Sequence, residues 1–101
     1  MNKLSEYGFR EDYDPNNRII RQDKFIIDND RYFISTVDLG ISFSYDDEIP
    51  LYYETMIFKN DDWSGIYCRR YETREQALNN HNFIIENLEY LYCYEKLDYE
   101  N

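Results

Sequence analysis

The sequence contains little of what metal and catalytic sites are usually built from. Among its 101 residues are two cysteines, Cys68 and Cys93, and one histidine, His81. The cysteines stand 25 positions apart without a CxxC pair, which predicts two free thiols and no zinc site. The GxSxG motif of many hydrolases and the DxDxDG pattern of calcium-binding loops are both absent. We therefore expect no cofactor, no bound metal and no enzymatic activity.

Long apolar runs are absent as well. No stretch approaches the roughly 20 apolar residues that a membrane-spanning helix needs. The first residues, MNKLSEYGFREDYD, lack the apolar centre of a signal peptide. Together these two absences predict a protein of the cytoplasm.

Positive charge is scarce. The chain has 11 lysines and arginines against 21 aspartates and glutamates, which gives a net charge of −10. A small domain typically carries a net charge of magnitude about 2 to 8. A charge this negative repels nucleic acid and anionic membranes, so direct binding to either is disfavoured. The natural partner of such a chain is a basic protein surface.

Aromatic side chains, by contrast, are abundant: 12 tyrosines, six phenylalanines and one tryptophan. This apolar surface suffices for one modest core, and the chain length predicts a single domain at residues 1–101. Many tyrosine rings should lie half buried, with the hydroxyl in water. We interpret residues 1–17 as an N-terminal arm and residues 93–101 as an acidic tail.

Alternating runs of apolar and β-branched residues predict four strands. They lie at residues 18–27, 31–39, 51–58 and 66–71. The turn-forming residues Asp28, Asn29 and Asp30 predict a tight turn between the first two strands. The other connections are predicted as loops, at residues 41–50 and 59–65.

A helix follows the last strand, beginning at Thr73 and ending near residue 92. The run Thr73-Arg74-Glu75-Gln76 is a capping box. An apolar stripe at helical spacing follows it, made of Ala77, His81, Ile84, Leu88 and Leu91. Short connections favour antiparallel neighbours. The predicted class is therefore α+β: a curved antiparallel sheet of about four strands with one C-terminal helix on one face.

Three stretches of the chain form a recognisable pattern: ISTVDLG at 34–40, PLYYETMIF at 50–58 and YCRRYETREQALNNH at 67–81. They resemble a widespread family of small proteins from phages and prophages of Gram-positive bacteria. The matched positions are Ser35, Thr36, Val37, Leu39, Gly40, Pro50, Glu54, Thr55, Met56, Phe58, Arg70, Tyr71, Thr73, Glu75, Ala77 and His81. The resemblance implies a phage or prophage protein in the cytoplasm of a bacterial host, and it implies no particular activity.

Polar residues near the helix offer a possible relay. Ser35, Thr36 and Glu54 lie on neighbouring predicted strands, so a Ser–His–Glu arrangement with His81 can be drawn. The favoured interpretation is a buried His81 that holds helix to sheet through a hydrogen bond to Glu54 or to a strand hydroxyl. A carboxylate pair of Glu54 and Asp38 is likewise interpreted as structural. Glu54, Thr73 and His81 are thus predicted structural residues.

Acidic side chains concentrate in two stretches. Residues 38–62 hold seven of them against one lysine, and residues 86–101 hold five against one lysine. A solvated acidic surface is one interpretation. The other is a surface that presents carboxylates, as DNA presents phosphates, to a channel lined by Lys and Arg. The predicted partner-binding residues are Tyr45, Asp46, Asp47, Glu48, Asp61, Asp62 and Trp63, which place aromatic anchors beside charge.

The leading hypothesis is a small acidic phage accessory protein that binds and inhibits a basic, nucleic-acid-handling host protein. Its most concrete form is an anti-CRISPR protein that blocks a CRISPR–Cas effector by occlusion or DNA mimicry. The alternative is a non-inhibitory interaction or assembly module of the phage. A small hydrolase is the third hypothesis, which the missing motifs disfavour.

Overall fold

The computed structural model of the chain describes residues 9–42 and 49–88. These described ranges contain four strands and one helix, preceded by a single 3-10 turn at Pro15–Asn17. The elements are β1 (Ile19–Ile27), β2 (Asp30–Asp38), β3 (Tyr53–Lys59), β4 (Asp62–Tyr71) and α1 (Arg74–Glu86). The strands lie in the order β1-β2-β3-β4 in one open sheet, and each neighbouring pair is antiparallel. The predicted α+β class is confirmed.

Two-residue turns join β1 to β2 and β3 to β4. Asp28 and Asn29 form the first turn, Asn60 and Asp61 form the second, and all four have positive φ. Asn and Asp tolerate this left-handed backbone, whose twist matches that of the flanking strands. The first turn is as predicted. The predicted loop at 59–65 is wrong, because β4 already begins at Asp62.

Gly65 lies where the pairing of β3 with β4 becomes irregular. The register shifts between Ile57 and Lys59 on β3, and Gly65 has φ +82 within β4. A Cβ at this position would stand 2.7 Å from Cε of Met56, so both space and backbone conformation favour glycine. The sequence places this glycine in a turn, whereas the structure uses it for a bulge inside a strand.

Helix α1 covers one face of the sheet. Ile84 of the helix and Leu88 just beyond it pack with Tyr32, Ile34 and Ile57 from the two central strands. These five side chains are all buried, and they form the core that the period-two and helical patterns predict.

The opposite face of the sheet, which we call the open face, carries the side chains of Phe33, Met56 and Phe58, each partly buried. Within residues 9–42 and 49–88, no second layer of secondary structure covers this face. It ends in Trp63, which is 63% exposed. Apolar side chains left accessible in this way are typical of contact surfaces.

The predicted capping box at the start of α1 is confirmed. The Thr73 hydroxyl accepts a hydrogen bond from the Gln76 amide at 3.1 Å, and Oε1 of Gln76 accepts one from the Thr73 amide at 3.1 Å. Helix α1 is continuous to Glu86, and Asn87 then leaves helical geometry with φ −119 and ψ 20. Residues 89–92 of the predicted helix and the predicted tail at 93–101 lie outside the described residues.

The described part of the N-terminal arm is bound to the sheet by Arg10. Its backbone amide donates to the Gly40 carbonyl, and its guanidinium donates to both oxygens of Asp38, at 3.1 and 2.5 Å. Hydrogen bonding to Asp38 raises the pKa of Arg10 above its ordinary value. Arg10 is 7% exposed, so this bidentate pair is a buried anchor. This anchor could not be predicted from the sequence, in which Arg10 is simply one arginine of the predicted arm.

Candidate partner-binding site

Three of the seven predicted partner-binding residues lie in the described structure. Asp61 is in the turn between β3 and β4, and Asp62 and Trp63 begin β4. The other four, Tyr45, Asp46, Asp47 and Glu48, lie outside the described residues. The connection that contains those four leaves β2 and enters β3 at the end of the sheet opposite to the turn at Asp61.

The two aspartates at this end of the sheet have different surroundings. Asp61 forms an ion pair with Arg31 at 2.8 Å, and both side chains are more than half exposed. Such a pair stabilises the fold by only about 0–1 kcal/mol. Asp62 instead accepts hydrogen bonds from the amide of Ser64 at 3.0 Å and from its hydroxyl at 2.7 Å, and these lower the pKa of Asp62. Both carboxylates remain accessible to a partner.

Trp63 rests on other aromatic rings of the open face. Its ring centre lies 5.0 Å from that of Phe58 and 6.0 Å from that of Phe33, the latter in an edge-on arrangement. Aromatic pairs at these distances attract each other beyond the effect of buried area. The three rings line a recess of about 440 Å³ together with other side chains, among them Lys24 and Arg31. Trp63 is therefore an exposed ring held in a defined position.

The negative charge is unevenly distributed along the chain. Residues 9–42 and 49–88 hold nine basic and thirteen acidic side chains, a net charge of −4 of the total −10. Two acidic residues of the predicted cluster at 38–62 are paired with arginines of the same chain. Asp38 accepts hydrogen bonds from Arg10, and Glu54 accepts one from Arg70 at 2.9 Å. The described fold is thus only mildly acidic, and residues 1–8, 43–48 and 89–101 together contribute the remaining −6.

His81 is a completely buried structural residue. Its Nδ1 lies 2.6 Å from the Thr36 hydroxyl, and its Nε2 lies 2.8 Å from a carboxylate oxygen of Asp23. The predicted bond to a strand hydroxyl is therefore present. The predicted alternative partner, Glu54, is wrong: Glu54 belongs to the open face, where it accepts from Arg70.

The Ser–His–Glu relay is not assembled. Ser35 belongs to the open face, where its hydroxyl accepts from Gln22 at 3.2 Å, while His81 lies on the other side of the sheet. Asp38 and Glu54 are also separated, because adjacent strand positions alternate between faces and Glu54 is paired with Val37. Neither the relay nor the carboxylate pair can act as a unit.

A chain of buried polar groups extends from His81 through the sheet. The Thr36 hydroxyl lies 2.6 Å from the Thr55 hydroxyl, and Thr55 is hydrogen-bonded to Tyr71. Asp23, at the other end, is also held by Arg21 at 2.9 Å. Since buried polar groups must be paired, this chain fixes how α1 sits on all four strands.

Sequence reasoning missed Asp23 as the partner of His81. The signal was present in the period-two pattern of β1, where Asp23 shares a face with Phe25 and Ile27. A carboxylate on the apolar face of an edge strand calls for a polar partner on the covering helix. His81 is the polar member of the helix stripe, so the two could have been matched.

No group of His, Cys, Asp and Glu side chains that could hold a metal ion occurs among the residues described. Within the same ranges, no helix has the length and apolar character required to cross a membrane. Comparison with protein-family models, curated proteins and solved structures finds no match to this chain. The resemblance to phage and prophage proteins therefore stays a prediction from the sequence motifs.

Proposed function

We propose that the protein is a binding protein without catalytic activity whose partner is a basic surface on a nucleic-acid-handling protein of its host. The observation that carries this proposal is the position of Trp63. Its ring is exposed on a supported aromatic surface directly after two accessible aspartates, in a chain of net charge −10. Interface hot spots are enriched in tryptophan and tyrosine, and accessible carboxylates beside the ring can attract a basic partner.

The negative charge of the chain increases the rate of association with such a partner. A strongly acidic chain approaches a surface lined by Lys and Arg faster than a neutral chain does, and salt weakens the attraction. Asp61 can exchange Arg31 for a cation of the partner at little cost, since the exposed pair contributes so little. Much of the attraction would come from residues 43–48 and 89–101, which carry −3 each.

The aromatic surface prolongs the lifetime of the complex. Phe33 and Phe58 fix the Trp63 ring before a partner arrives, so little side-chain entropy is lost on binding. A protein seated in this way on a nucleic-acid channel excludes the nucleic acid. The concrete form of the proposal is therefore an inhibitor of a CRISPR–Cas effector, that is, an anti-CRISPR protein.

The geometry around His81 supports a binding role over hydrolysis. Asp23, His81 and Thr36 have the residue types of a catalytic relay, and their side chains are within hydrogen-bond distance. The Thr36 and Thr55 hydroxyls are both fully buried beneath α1, so no substrate reaches either oxygen. A nucleophile must meet its substrate, and this relay is instead a fixed part of the core.

The experiment is affinity capture followed by a competition assay. The tagged protein is expressed in a Gram-positive bacterium with an active CRISPR–Cas system, and bound proteins are recovered at low salt. We expect a basic, nucleic-acid-binding protein whose binding to DNA is abolished by the acidic chain. Trp63→Ala should weaken the competition at least tenfold, whereas Ile19→Ala, a control at another exposed apolar side chain, should leave it unchanged.

The contrary results are equally specific. If the captured protein is acidic, or if it binds DNA equally well with and without the chain, the proposal is wrong. Capture of a phage structural protein by an interaction that resists high salt would instead support a non-inhibitory assembly module.

A further inference from the structure

Strand β1 forms one edge of the sheet. Ile27 and Asp30 flank the two-residue turn, so they form a hydrogen-bonded pair. Counting back from Ile27, every second residue of β1 therefore directs its backbone amide and carbonyl towards β2. The alternate residues Gln22, Lys24 and Ile26 therefore direct their amide and carbonyl groups away from the sheet. Within the described residues, no strand pairs with this outer side. Such a row of backbone groups is a template for another strand.

The charge of this edge is opposite to that of the whole chain. Residues 18–27 hold Arg18, Arg21 and Lys24 against the single carboxylate of Asp23. That carboxylate is already shared between Arg21 and His81. Among the described residues, Lys24 contacts no carboxylate, and its Nζ lies 5.7 Å from the centre of the Phe33 ring. The edge thus has a net positive charge in a chain of −10.

Ile26 adds an apolar contact at the same edge. It is 74% exposed and lies two positions from Lys24, so both side chains belong to the open face. A strand added beside β1 would place its own side chains opposite these two. A carboxylate fits opposite Lys24, and an apolar side chain fits opposite Ile26.

We propose that β1 binds an extended acidic segment of a partner protein as an additional strand of the sheet. The backbone groups of Gln22, Lys24 and Ile26 provide the hydrogen bonds, and the lysine and the isoleucine select the side chains. A second copy of this chain fits poorly, because pairing β1 with β1 would bring the basic side chains of both copies together. The proposal does not depend on the nucleic-acid-handling partner proposed above.

The test uses a short peptide and the whole chain labelled with ¹⁵N. The probe is the blocked heptapeptide Thr-Val-Thr-Glu-Thr-Val-Thr, whose palindromic pattern places a glutamate between two valines in either direction. On titration, the amides of Gln22, Lys24 and Ile26 should shift and become slower to exchange with solvent. The amides of Ile66 and Cys68, on the other edge strand β4, should do neither.

Charge exchange makes the test specific. Replacing the glutamate of the probe by lysine should weaken binding about fivefold or more. The variant Lys24→Glu should reverse this preference and bind the lysine peptide better. Arg69→Glu, a matched charge reversal on β4, should leave both affinities unchanged. Lys24 and Arg69 are both exposed, so neither change disturbs the core.

Each other outcome overturns the proposal. No response of the β1 amides at millimolar peptide, or an equal response at β4, means that β1 is not a selective edge. Equal affinity for both peptides would show that Lys24 does not select an acidic side chain in the added strand. The edge is already occupied if the β1 amides are protected from exchange in the free protein. Protection that rises with protein concentration would show that a second copy occupies it. Protection independent of concentration would show that another segment of the same chain does.

Discussion

The imidazole Nδ1 of His81 lies 2.6 Å from the hydroxyl of Thr36, and both side chains are completely buried. This contact joins the middle of α1 to a central strand of the sheet. On its other side, His81 Nε2 donates to Asp23 of β1. One helical side chain thus connects three elements of the fold.

Removal of the imidazole should therefore destabilise the protein. His81→Ala leaves a cavity and deprives Thr36 and Asp23 of a buried partner, so the free energy of unfolding should fall by about 2–4 kcal/mol. Urea denaturation measures the change. Asn79→Ala, at an exposed position of the same helix, should change it by no more than about 0.5 kcal/mol. Unchanged stability of His81→Ala with lost partner binding would instead indicate a functional histidine.

The capping box gives a second prediction. Thr73→Ala removes the acceptor for the Gln76 amide and should cost about 0.5–2 kcal/mol of stability. Thr73→Ser keeps a hydroxyl at the same place and should recover most of the loss. The midpoint of urea unfolding reports both variants. Equal midpoints for the parent and the alanine variant would contradict the observed start of α1.

The thiol of Cys68 should react slowly. Partial burial against the sheet and the neighbouring negative charge of Glu54 raise the pKa of Cys68, so less thiolate is present at pH 8 than in a free cysteine. In a Cys93→Ser background, alkylation by iodoacetamide should be slower than that of a model thiol. Glu54→Gln should accelerate it. Alkylation at the model rate would show that the Cys68 thiol is not perturbed.

Alkaline pH should destabilise the fold through Tyr71. Burial raises the pKa of Tyr71 above its ordinary value of 10.0, so the folded state favours the neutral phenol. The stabilisation is complete below pH 10 and is lost as the pH rises through the higher folded pKa. Stability measured between pH 9 and 11.5 should fall less steeply for Tyr71→Phe than for the parent. Equal slopes would mean that the pKa of Tyr71 is the same in the folded and the unfolded protein.

Much of the fold could be predicted from local patterns. The period-two alternation of β2 assigns Phe33 and Ile34 to opposite faces, and the structure agrees. The asparagine and aspartate residues of the first turn, and the capping box at Thr73, act through neighbours in sequence. Such signals are visible without knowledge of the tertiary structure.

The failures concern contacts between residues distant in sequence or a choice between two local structures. Asp23 is 58 positions from His81, and Arg10 is 28 positions from Asp38, so no local pattern connects either pair. Gly65 was ambiguous because glycine serves both a turn and a bulge. Counting acidic residues gives the total charge but not their partners: the ion pair of Glu54 with Arg70 depends on the register between β3 and β4.

The rate of association with the captured host protein, measured at two salt concentrations, tests the proposed function most directly. Reversal of Asp46, Asp47 and Glu48 to Lys should slow association about tenfold or more at low salt and much less at high salt, while dissociation stays unchanged. Trp63→Ala should instead speed dissociation. If the charge-reversed protein associates as fast as the parent at low salt, its acidic residues do not guide binding, and the proposal of a basic partner surface is contradicted.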